Sequence, residues 1–164
     1  MVGAVTRTVA ALSILLAAAP AAAQRERLGV YSFWGAFRDS GRCYAIAAPV
    51  DARETDGQRP FASVGYWPRR GLGGQVHVRL AADKRPGSAV FLKIDGRSFQ
   101  LAAGRRDAWA ADRRADAEIV AAMRTGIEMS VETRSAAGTL MRDLYRLRGG
   151  ATAIDAAAIA CARR

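Results

Sequence analysis

Apolar and polar residues alternate with a period of two through most of this chain, the pattern of strands with one face buried. The sharpest case surrounds Ile94-Asp95-Gly96-Arg97. Asp-Gly accepts the positive φ values of a two-residue type I′ turn, so Ile94 is expected to face Arg97, Leu92 to face Phe99 and Val90 to face Leu101. That register gathers Val90, Leu92, Ile94, Phe99 and Leu101 on one apolar face and leaves Phe91, Lys93, Ser98 and Gln100 on the other. Ile127 to Thr133 alternates almost as cleanly, with Leu140 to Leu147 as its expected partner across Ser135-Ala136-Ala137-Gly138. Gln75 to Leu80 sets Val76, Val78 and Leu80 against Gln75, His77 and Arg79, and Phe61 to Trp67 precedes it across a glycine-rich basic loop. Upstream, Leu28 to Phe37 reads as one aromatic-rich strand running into a turn at Arg38-Asp39-Ser40-Gly41. Cys43 to Val50 is apolar on both faces, as a central strand would be, and Asp51 to Pro60 is a polar surface loop.

Two stretches change to a helical period. The first has Asp112 or one of its neighbours as cap, Asp116 and Glu118 early, Arg124 late and Gly126 as stop, with Ala115, Ile119, Ala122 and Met123 in one stripe. Its carboxylates suit a helix N-terminus better than a metal or acid/base site. The second follows Gly149-Gly150, with Thr152 as expected cap, Asp155 three residues on, and Ile154, Ala158 and Cys161 on one face. About eight strands and two short helices, the last one C-terminal, predict a mainly β fold. An antiparallel β-sandwich and a partly open barrel both satisfy the pattern.

Residues 1–23 depart from it and read as a signal peptide: Arg7, an apolar run from Val9 to Leu16, and a small-residue cleavage site at Ala21-Ala22-Ala23. The run is too short for a spanning helix, and no later segment reaches about 18 apolar residues. Residues 24–164 are expected to form a single exported domain. Export changes the meaning of Cys43 and Cys161, because an oxidising compartment favours a disulfide and two thiols are too few for a structural zinc. Closing so long a loop stabilises a fold by about 4 to 5 kcal/mol in the chain-entropy account.

The formal net charge is +10, almost all of it arginine, since Lys84 and Lys93 are the only lysines. A cationic exported protein meets lipid headgroups, lipopolysaccharide or acidic polysaccharide before it meets nucleic acid. The pairs Arg69-Arg70, Arg105-Arg106 and Arg113-Arg114, with Trp67 and Trp109 nearby, form the candidate anion-binding surface. Arginine and tryptophan together can hold an anionic or sugar-like ligand through cation–π contacts and charge-assisted hydrogen bonds. The competing arrangement buries both tryptophans and leaves the arginines as a solvated rim. A further candidate is docking of another envelope protein on an aromatic patch near Tyr31, Phe33, Trp34 and Phe37.

Catalysis is not expected, and no cofactor or metal motif stands out. The sole histidine, His77, belongs to the polar face of its strand, and bridged cysteines are not nucleophiles. Asp143 can meet Glu128 or Glu132 across the last hairpin, where pairing with Arg142 or Arg134 is the simpler outcome, and Asp143 with Tyr145 reads as a hydrogen-bonded pair. A hydrolase acting on envelope material is the enzymatic alternative.

Several blocks occur in a familiar order: Trp34, then Arg42-Cys43-Tyr44-Ala45, Ile94-Asp95-Gly96 with Phe99-Gln100-Leu101, Ala108-Trp109, Asp116 to Arg124, Met129-Ser130-Val131, Asp143 to Leu147, and Ala160-Cys161. In this the chain resembles the invasion-associated locus B family of exported bacterial proteins, although Arg146 stands where a serine is more usual. The resemblance implies a disulfide-linked, mainly β envelope domain and carries over no catalytic residue.

Overall fold

Ten strands form one antiparallel sheet in a computed structural model that describes residues 25–52 and 58–162. The expected signal segment and part of the Asp51 to Pro60 loop lie outside the described residues. In chain order the strands are β1 (Glu26–Tyr31), β2 (Trp34–Asp39), β3 (Arg42–Ala47), β4 (Phe61–Trp67), β5 (Leu72–Arg79), β6 (Val90–Ile94), β7 (Arg97–Ala103), β8 (Asp107–Ala110), β9 (Glu128–Arg134) and β10 (Leu140–Arg146). Helix α1 (Arg113–Thr125) follows β8 and α2 (Gly150–Ala162) closes the chain. The order across the sheet is β1-β2-β3-β4-β5-β8-β7-β6-β9-β10, so β6, β7 and β8 return as a meander to pair with β5.

The sheet curls around its own contents. Trp34, Val64, Val78, Leu92, Leu101, Met129 and Tyr145, from seven different strands, join Ile119 of α1 and Ile154 of α2 in one buried cluster. The far edge also returns to the start: the Trp34 indole Nε1 donates to the Arg146 carbonyl oxygen at 2.9 Å, and the Val50 amide donates to that of Leu144 at 2.7 Å. Of the two mainly β forms expected, this single curled sheet corresponds to the partly open barrel.

The β6–β7 hairpin forms in the expected register, Ile94 facing Arg97, Leu92 facing Phe99 and Val90 facing Leu101, with positive φ at Asp95 and Gly96. Two strands beyond the expected eight have identifiable causes. The single strand expected from Leu28 to Phe37 is a hairpin that reverses at Ser32-Phe33, where Ser32 takes φ +55°, a backbone state no turn residue announces there. The four residues of β8 are too short to show a period.

Helix α1 begins as its caps predict, the Asp112 side chain accepting from the Ala115 amide at 2.8 Å. Helix α2 begins earlier than the expected Thr152 cap. Gly149, with φ +87°, accepts the first helical hydrogen bond from the Ala153 amide at 3.0 Å. A Cβ on Gly149 would lie 1.8 Å from the Tyr31 carbonyl oxygen, so the glycine allows the close approach that starts the helix. Apart from Ile154 and Cys161, the buried face of α2 is small, Gly150, Ala153, Ala157 and Ala160, which lets it lie close against the inner side of β1 to β4. Cys161 on that face is bonded to Cys43 of β3, as expected, with 5.8 Å between their Cα atoms.

Candidate functional site

With both helices inside, the outer side of β2 to β5 is uncovered, and strand alternation decides what it displays. Ala36, Ala45, Ala47, Ala62, Val64, Val76 and Val78 face the core. The residues between them point outward. Pairing aligns Phe37, Tyr44, Gly65 and Gln75 in one cross-strand row, and Ile46, Ser63, His77 and Trp109 in the next. Between these rows lies a cleft of about 360 Å³ lined by Phe37, Tyr44, Phe61, Trp67 and His77 and by Arg25, Arg42 and Arg79. Ser63 and Gly65 are among the small residues that line it. The Trp67 ring folds back over Gly65, where a Cβ would come within 2.4 Å of it.

Each arginine lies over an aromatic ring. Arg42 sits 4.7 Å from the Tyr44 centroid, Arg79 5.4 Å from that of Phe61, and Arg25 5.9 Å from that of Phe37. Two carboxylates hold them in place. Asp39 accepts from Arg42 at 2.9 Å and lies 3.4 Å from Arg25, while Asp107 is 3.0 Å from Arg79 Nε and 2.8 Å from His77 Nε2. The bond to Asp107 uses the Nε of Arg79, and about a third of this side chain, 32%, is exposed. Burial alone would raise the Asp107 carboxyl, but the bonds from Arg79 and His77 outweigh it and hold the group below the ordinary carboxylate range. It is therefore ionised at neutral pH. Burial, reinforced by Asp39, pushes the Tyr44 phenol up, which keeps it neutral.

His77 is more constrained than an ordinary surface histidine. Its ring stacks on Trp109 at 5.1 Å and 6°, meets Phe61 edge-on, and leaves only 22% of its side chain exposed. A Ser-His relay is not assembled, because the Ser63 hydroxyl donates to the His77 carbonyl oxygen rather than to the ring. Among the described residues, no three His, Cys, Asp or Glu side chains group as metal ligands.

The residues singled out from sequence are distributed unevenly. Trp67 lines the cleft, and Trp109, 38% exposed, shares its face behind His77, so neither is a core residue. The core tryptophan is Trp34. None of the six paired arginines lines the cleft. Arg69 and Arg70 form an exposed 3-10 turn after β4, and Arg113 donates to the Gly71 carbonyl beside it. Arg114 pairs with Glu118, Arg105 with Asp83, and Arg106 donates to the Ala81 carbonyl. The aromatic patch expected near the N-terminus is also divided: Trp34 is buried, Phe33 is 55% exposed at the β1–β2 turn, and Phe37 belongs to the cleft.

The last hairpin carries no carboxylate pair. Glu128 meets Arg146, and Glu132 meets Lys93 and Arg142, on the outer face. Asp143 points the other way and accepts from the Ala81 amide at 3.2 Å. The expected Asp143–Tyr145 hydrogen bond is not formed, because the buried Tyr145 hydroxyl has no partner among the described residues. Both point inward along one strand, but neighbouring same-face positions are about 7 Å apart, beyond hydrogen-bond reach unless the side chains lean together.

Arg25, Arg42, Arg79, Tyr44, Phe61 and Asp107 are the functional candidates that the sequence pattern does not single out. A signal exists in the alternation itself, since Phe37 of β2, Tyr44 of β3 and Phe61 and Trp67 of β4 fall at outward positions of their strands, whereas Trp34 and Tyr66 fall at inward ones. Comparison with protein-family models, with characterised proteins and with solved structures found no match.

Proposed function

We propose that this chain is an exported, non-enzymatic envelope protein that binds an anionic envelope component in its outer cleft. The observation that carries this reading is three arginines, each over an aromatic ring, around one open depression. A cation over an aromatic face is partly desolvated yet keeps its outer donors, the arrangement that favours charge-assisted bonds to an incoming anion. The Cys43–Cys161 bond is compatible with export, and among the described residues no helix is long and apolar enough to cross a membrane. The resemblance to the invasion-associated locus B family supports the same placement.

The enzymatic alternative rests on the His77–Asp107 bond, with no nucleophile bonded to the histidine ring among the described residues. Binding of the disulfide-bonded protein to lipopolysaccharide and to anionic vesicles, compared at about 50 and about 500 mM salt, tests the proposal. Affinity is expected to fall severalfold at the higher salt and to fall again in Arg42→Gln. No binding, or binding indifferent to both, overturns it. An activity on envelope material that His77→Ala abolishes would establish the hydrolase instead.

A further inference from the structure

The charge and shape of the cleft narrow the ligand beyond "anionic". Arg25, Arg42 and Arg79 are faced by Asp39 and Asp107, so the paired charges leave about one positive charge uncompensated when His77 is neutral. A dense phosphate cluster would call for several uncompensated cations. Isolated carboxylates on an otherwise uncharged backbone match the balance better. The partly exposed Arg79 guanidinium can meet one carboxylate as a planar fork, with Asp107 held ionised behind it to fix it through Nε.

The aromatic surfaces make the second half of the case. Trp67 is braced from below by the Gly65 backbone, and Trp109 is braced on one face by His77, which Asp107 in turn holds. Each indole is thereby held in place before a ligand arrives, and Trp109 is 38% exposed, so ordering them on binding costs little. The C–H face of a pyranose ring packs on the electron-rich face of an indole, whereas a phosphate has no such face. Phe61 and Trp67 are six residues apart on β4, roughly 20 Å, which is longer than one sugar ring. The volume, about 360 Å³, lies toward the lower end of the roughly 300–1,000 Å³ of small-ligand clefts.

We infer that the cleft takes a short stretch of acidic polysaccharide, one pyranose ring stacking on Trp67 in the cleft and another on Trp109 beside it, while Arg42 and Arg79 engage their carboxylates. This rests on the cleft being the binding site proposed above. The shared chemistry is a uronic acid, which occurs both in bacterial exopolysaccharide and on animal cell surfaces.

The test is calorimetric titration of the disulfide-bonded protein with a galacturonate hexamer, its carboxyl-reduced neutral counterpart, a hyaluronan hexasaccharide, and phosphatidylglycerol vesicles. One or both uronate probes should bind, the tighter one indicating the source, and the carboxyl-reduced hexamer should bind about tenfold or more weakly. Trp67→Ala and Arg42→Gln should each weaken uronate binding about tenfold, with Lys93→Gln, on β6 and outside the cleft, unchanged. Trp67→Phe keeps a ring over Gly65 and should retain most of the affinity, which guards against a fold defect in the alanine variant. Uronate binding that survives Trp67→Ala in a folded protein overturns the inference. Binding to the vesicles alone overturns it too, but leaves the anionic-binding function standing, while no binding to any probe overturns both.

Discussion

Individual residues here are constrained mainly by backbone geometry and by burial. Gly149 combines φ +87° with contact against the Tyr31 carbonyl, so no side chain fits without moving the β1–β2 turn. Gly149→Ala should lower unfolding free energy by about 3 kcal/mol or more, measured by urea denaturation, whereas Gly41→Ala, with equal φ and open space around it, should cost closer to 1 kcal/mol. Asp143 is constrained by solvation. Burial raises its carboxyl above the ordinary range, and the Ala81 amide only partly offsets this. The folded state therefore holds that proton more tightly than the unfolded chain. Its contribution to stability is complete below the ordinary carboxylate value and is lost as pH rises through the raised one. Asp143→Asn keeps an oxygen for the Ala81 amide and carries no charge, so its stability should gain on the wild type between about pH 3 and pH 7. A constant difference across that range would contradict this assignment.

Elements are held together by side chains that reach from one to another. Asp116, placed by sequence at the start of α1, accepts from the Val76 amide of β5 at 2.7 Å, close to the irregularity in the β4–β5 pairing. Asp116→Ala leaves that amide without its acceptor and should cost about 1–3 kcal/mol, with local hydrogen exchange at Val76 accelerated. Asp95 has a comparable role, closing the β6–β7 turn while accepting from the Ile127 amide at 2.9 Å. The turn and its register were legible because Asp-Gly and the alternation agree over ten residues. The β1–β2 reversal was not, since Ser32-Phe33 carries no turn chemistry and is held from outside: the Phe33 amide donates to the Arg148 carbonyl at 3.4 Å, and Gly149 packs on Tyr31. A local code cannot announce a turn that distant residues impose.

For the whole molecule, the Cys43–Cys161 bond closes a loop with a sequence separation of 118 and fastens α2 inside the curled sheet. Replacing both cysteines with alanine should lower stability by about 3–5 kcal/mol in the chain-entropy account, read as a reduced denaturation midpoint with an increased unfolded-state dimension. An unchanged midpoint would mean that the helix is held by packing alone. The amino-acid sequence by itself determined the mainly β class, the hairpin register, both helices and the cysteine pair, because period, turn chemistry and thiol count are local or purely compositional. It also marked the protein as cationic, and it pointed to Trp67 and Trp109. Only the tertiary structure decided that one open sheet curls round the core, that Trp34 is the core tryptophan, and that Arg25, Arg42 and Arg79 rather than the consecutive arginine pairs surround the cleft. The physical reason is that the consecutive pairs lie in a turn, a bend and the first turn of α1, away from the strand face, whereas the groups of the cleft are brought together across strands. Cross-strand neighbours are set by long-range pairing, which brings β8 beside β5 and with it Trp109 and Asp107 against His77.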